Sequence, residues 1–162
     1  MSRVPLAIEE LHGAETELAR DLLRLSERHH AEHEVHHVAR DLAGWSRIHV
    51  RELAEIGRDH GLDLDPEVDG PSRPVAALLE KGSDLLGRRH ETGVLLLRDL
   101  RDVHRQAAGA SLDWDVLGNT AQSLRDTALL ELTQRCHPQT LRQMRWADAM
   151  VKQVAAQVMV VG

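Results

Sequence analysis

Residues 27–60 read ERHHAEHEVHHVARDLAGWSRIHVRELAEIGRDH, and the fold follows from how this stretch divides. Its first part, Glu27 to His37, is a dense cluster of histidine and glutamate. Its second part carries Val35, Val38, Leu42, Trp45, His49 and Ile56 along one side at helical spacing. A helix over residues 34–60 is predicted, ending at Gly61, a residue suited to the left-handed position just past a helix. One polar residue, His49, interrupts the apolar side, and Glu52 stands one turn further on.

Upstream, Ile8, Leu11, Glu15, Leu18, Leu22, Leu25 and His29 repeat at intervals of three and four, which predicts a helix over residues 5–29 that opens at Pro5. Glu15 and His29 take positions that the pattern otherwise gives to apolar residues. If the chain reverses near residues 30–33, Glu15 lies about as far before the turn as residues 47–49 lie after it. Glu15 and His49 are therefore expected to be neighbours inside a bundle.

Residues 61–73, GLDLDPEVDGPSR, read as a long linker rich in Asp, Gly and Pro. Beyond it the sequence predicts a short helix over 74–81 and longer helices over 83–108, 113–136 and 138–159. Gly109 to Asp113 is read as a tight turn, and His137-Pro138 as a restart. The fold class expected is all-α: an antiparallel four-helix bundle with an additional C-terminal helix, in one domain spanning residues 1–162. At ~3.3 Å per extended residue the linker can reach about 43 Å. That permits a crossover along the bundle, which would bring His90, Glu131, Cys136 and His137 to the end where the 29–37 histidines sit.

Composition limits the function. The 162 residues include neither Phe nor Tyr, and the formal charge is −6. Strand-forming residues are too few for a sheet protein, and the acidic balance excludes a nucleic-acid face. Eighteen arginines against two lysines are spread along the helices instead of forming a phosphate site. The single cysteine, Cys136, allows neither an internal disulfide nor a paired-cysteine metal site. No secretory leader and no membrane span is read, so a cytoplasmic protein is expected. P-loop, dinucleotide-binding and zinc-finger spacings do not occur.

In helix lengths and connections the chain resembles the ferritin-like superfamily. The resemblance implies a Glu from the first and third long helices and a Glu-x-x-His from the second and fourth, holding two metal ions at mid-bundle. Glu15 matches that pattern. His49-x-x-Glu52 carries it in reverse order, and the fourth helix offers Glu131-x-x-Gln134 without a histidine. The intact Glu-x-x-His spacings, Glu27/His30 and Glu34/His37, flank the turn instead.

Two readings of the polar positions stay open. Glu15 and His49 form a buried pair that sets helix register, or they ligate a metal with Glu52. His29, His33 and His37, spaced four apart, belong to a solvated helix end or hold a transition metal. Imidazole suits Zn, Ni, Cu or Fe without selecting among them, and for the chain as a whole Fe, Mn, Zn and Ni are the candidates. The leading functional expectation is a non-catalytic ferritin-like bundle without a complete ferroxidase centre, of which a metal-binding version would use Glu15 and His49 or the turn histidines. The alternatives are a di-iron or di-manganese oxidase or iron-storage relative, and a homo-oligomeric interaction module. The spare apolar side of the C-terminal helix, with Trp146 and Met150, needs either an intramolecular neighbour or another subunit, and a homodimer is expected.

Overall fold

The computed structural model describes residues 2–70 and 89–161. Among these, 86% are helical and no strand occurs, so the protein is an all-α four-helix bundle. The helices are α1 (Val4–Arg28), α2 (His33–Asp59), α3 (Arg89–Leu124) and α4 (Thr127–Val160). The short helix expected at 74–81 lies outside the described residues.

The first two helices form where their seams predict. Pro5 sits in the first turn of α1, where its missing N–H costs nothing. Ile8, Leu11, Leu18, Leu22 and Leu25 are fully buried, and Glu15 is buried among them. Helix α2 ends as expected at Gly61, whose φ of +79° lets Leu62 N–H reach back to the Gly57 carbonyl at 2.9 Å. Ser26 meets His36 beside the turn, Glu15 faces His49 further along, and Gly57 lies against Ile8 near the far end.

The second half departs from expectation. No turn forms at Gly109–Asp113, and there is no separate fifth helix starting at Pro138. Helix α3 runs unbroken for 36 residues, and α4 for 34. The reason is a continuous seam. Leu96, Leu100, Val103, Ala107, Ala110, Trp114, Leu117 and Ala121 keep the three-four spacing straight through Gly109, and all are buried. A mid-helix glycine costs only about 1 kcal/mol against alanine, which burial of that seam outweighs. Pro138 is likewise carried within α4 on its exposed side, so the carbonyl it cannot serve is left to water.

The actual break falls at Arg125-Asp126. Arg125 takes a left-handed φ of 55°, Asp126 N–H bonds the Ala121 carbonyl at 2.9 Å, and the Asp126 side chain caps α4 at Leu129 N–H. An arginine at this position carries no glycine signal.

Residues 61–70 run back along the bundle. His12 is 2.7 Å from the Asp65 carbonyl, Val68 packs on Ala19 and Val50, and Arg20 donates to the Asp69 carbonyl. Helix α3 then begins at the turn end, where Asp99 meets Arg28 and His29. The described strap, residues 61–70, thus leads from the far end of α2 toward the end where α3 begins. Because α3 continues to Leu124, however, Cys136 and His137 do not arrive at the histidine-rich end. They lie at mid-bundle, beside Glu52 and Ser111 respectively.

Of the two neighbours open to Trp146 and Met150, an intramolecular one or another subunit, the fold supplies the first. Met150 is buried in the upper core and Trp146 packs against it, so their neighbours are intramolecular. No helix among the described residues is long and apolar enough to cross a membrane.

Candidate functional site

At mid-bundle a polar constellation interrupts the core. Glu15 and His49 are both fully buried, and Glu15 Oε2 lies 3.2 Å from His49 Nδ1. The separation is that of an ion pair, although the angle does not give either atom an aligned hydrogen bond. Glu15 Oε1 accepts from Trp114 Nε1–H and from Thr140 O–H, each at 2.8 Å. His49 Nε2 lies 2.7 Å from Gln139 Oε1, and the Trp114 ring meets the imidazole edge-on at 5.9 Å. All four helices thus contribute to one buried cluster.

Each of its two titratable groups is shifted toward its charged form. Burial alone pushes the Glu15 carboxyl up, but His49, Trp114 and Thr140 together hold it below the usual carboxylate value. Burial likewise pushes His49 down, but Glu15 and Gln139, with the charge of Glu52, raise it above the ordinary histidine value. A doubly protonated imidazole also fits both contacts, since Nδ1 faces a carboxylate and Nε2 an amide oxygen.

The adjoining contacts between α2 and α4 are polar too. Gln143 Nε2 donates to the Leu42 carbonyl and to Ser46 Oγ, both at 2.8 Å. Glu52 does not join the Glu15–His49 pair as a third ligand would. Its oxygens take Arg135 at 3.3 Å and the Cys136 thiol at 3.2 Å. Burial, then the Glu52 carboxylate, pushes the Cys136 thiol far above its ordinary value, so it is held as a neutral S–H.

His29 belongs to a second cluster at the turn end. It is buried, with Nε2 2.7 Å from Asp99 Oδ2, and Arg28 donates to both Asp99 oxygens at 2.9 and 3.1 Å. This ties the end of α1 to α3. His33 and His37 do not share that cluster. Both are exposed on the first turns of α2, with their rings stacked 6.1 Å apart.

These residues do not fit a dinuclear metal centre. Among the described residues, no three or more His, Cys, Asp or Glu side chains converge in a way that could hold an ion. At the bundle centre the Glu15 oxygens and both His49 nitrogens already face partners of this chain.

Sequence reasoning placed Glu15 and His49 together but missed Trp114, Gln139, Thr140 and Gln143. Their signal was present: Cys136, Thr140, Gln143, Ala147 and Met150 continue one inner face of α4 across Pro138. A supposed restart at residue 138 hid it. Comparison with known proteins gives no match to any family model, curated protein or solved structure.

Proposed function

We propose that the chain is an antiparallel, ferritin-like bundle whose centre is structural and not redox-active. The observation that carries this reading is that Glu15 is met by three helices, its Oε1 accepting two hydrogen bonds and its Oε2 facing His49. Its carboxylate takes Trp114, Thr140 and His49, each from a different helix. A buried pair of this kind specifies which helices meet and in what register, at some cost in stability. The order of α1 and α2 contacts and the crossing strap at 61–70 are consistent with a ferritin-like winding. In this reading the protein is a non-enzymatic scaffold.

Ferrous iron mixed with oxygen tests it. The protein should give no oxidation curve above a buffer blank, and protein purified from cells should carry no stoichiometric Fe or Mn. Fast, saturable oxidation that disappears in Glu15→Ala would replace this reading with the di-iron or di-manganese oxidase.

A second reading, self-association, is favoured by the end of α4. Met159, Val160 and Val161 are 71%, 80% and 77% exposed. Exposed apolar side chains grouped at one helix end are costly in water. A homodimer through this end predicts a dimer mass in solution that falls to a monomer in Met159→Lys/Val160→Lys. A monomer at all concentrations removes this reading.

A further inference from the structure

Two histidines at the start of α2 take no part in the contacts that hold the helices together. His33 and His37 stand one helical turn apart, and both are exposed. Residues at this spacing face the same way on a helix. Their rings are nearly parallel, 21° apart, with centroids at 6.1 Å, and a third ring, His36, meets His37 edge-on at 4.9 Å. No salt bridge or hydrogen bond among the described residues engages the ring nitrogens of His33 or His37.

We propose that His33 and His37 form a two-imidazole chelate for a divalent transition-metal ion of the zinc, nickel or copper class, with water in the remaining positions. Metal–nitrogen bonds of about 2.0–2.1 Å require the rings to draw together by roughly 1 Å. Rotation of two exposed side chains supplies this without moving the backbone.

Two neighbouring imidazoles are held by backbone carbonyls and so stand outside the chelate. His36 Nδ1 lies 2.8 Å from the Ser26 carbonyl, and His30 Nδ1 lies 3.2 Å from the Glu27 carbonyl. The positive end of a helix opposes a cation. Here Glu32 at the cap and Glu34 in the first turn supply offsetting negative charge, as does the net charge of −6. Glu32 makes no side-chain cap hydrogen bond, so a chelate spanning residues 33–37 would staple a helix end that its own cap leaves loose.

This site is independent of the Glu15–His49 centre, and its test distinguishes the two. Zinc chloride is titrated into the full-length protein by calorimetry, and copper(II) is read by its electron paramagnetic resonance spectrum. One equivalent should bind, with nitrogen hyperfine structure. His33→Ala and His37→Ala should each weaken zinc binding by at least about tenfold, because loss of a direct ligand costs no less than loss of its supporting partner. His30→Ala, removing an exposed histidine outside the chelate, should bind as the parent does. Both substituted positions are exposed, and circular dichroism confirms that each variant is folded. Unchanged stoichiometry and affinity in His33→Ala/His37→Ala overturns the proposal. So does equal weakening in His30→Ala, which would mean nonspecific histidine binding, or loss only in His49→Leu, which would move the ion to the bundle centre.

Discussion

Glu15 on α1 and His49 on α2 face each other with Oε2 3.2 Å from Nδ1, and neither residue reaches solvent. The pair lies between two hydrophobic clusters of the core, where its acid and its base face each other away from water. Removing one partner leaves the other without compensation, and also strands the donors that serve the carboxylate.

Glu15→Met is therefore expected to cost about 3–5 kcal/mol, since it leaves His49, Trp114 N–H and Thr140 O–H without their acceptor. His49→Leu should also destabilise. The two losses should not add, and a coupling of about 0.5–3 kcal/mol is expected for groups in direct contact. Urea unfolding of the two single variants and the double variant measures it. Strictly additive losses would remove the pair from the account of stability.

The same pair gives a signed pH dependence. Glu15 is held below its ordinary value of 4.5, so its contribution is full above pH 4.5 and is lost as pH falls through the lowered folded value. His49 is held above its ordinary value of 6.5, so its contribution is full below pH 6.5 and is lost as pH rises through the raised folded value. Both are present between pH 4.5 and 6.5. Asp21 works the other way: burial raises its carboxyl from 3.8 to about 6, so stability falls as pH rises across that interval. The stability difference between the parent and Glu15→Met/His49→Leu isolates the pair. It should be widest inside the 4.5–6.5 window and narrow on both sides, and a pH-independent difference would contradict the assignment of charges.

Cys136 is buried, and both burial and the neighbouring Glu52 carboxylate oppose its thiolate. A thiol reagent added to the native protein should react only as fast as the bundle opens, with labelling that follows the urea unfolding curve. Immediate stoichiometric reaction in buffer would show that the thiol is accessible.

Two glycines of α3 should respond in opposite directions to the same change. A Cβ at Gly118 would lie 2.9 Å from Thr133 Cγ2, and Thr133 is held by its own bond to the Leu129 carbonyl. Overpacking of about 1–3 kcal/mol then exceeds the helix gain of about 1 kcal/mol, so Gly118→Ala destabilises. Gly109 has nothing within 4 Å of its Cβ position. Gly109→Ala should raise stability by about 1 kcal/mol. Thermal melts of both decide the matter, and a destabilised Gly109→Ala would restore the turn that spacing alone predicts at residues 109–113.

The residues by themselves determined the all-α class, the extent of α1 and α2, the stop at Gly61 and the meeting of Glu15 with His49. These depend on local periodicity and on one glycine in a left-handed position, all of which a linear pattern records. Tertiary structure alone decided where the second half breaks. Gly109 and Pro138 are helix breakers by propensity, but packing of the seams from Leu96 to Ala121 and from Leu129 to Met150 overrides them. Arg125 turns the chain instead, because the two seams can pack against each other only when the reversal falls between them. That shift by about four helical turns carried Gln139 and Thr140 to the buried pair and Cys136 to Glu52. A partner drawn from the far half of the chain is set by where the turn falls, and no spacing within one helix encodes that.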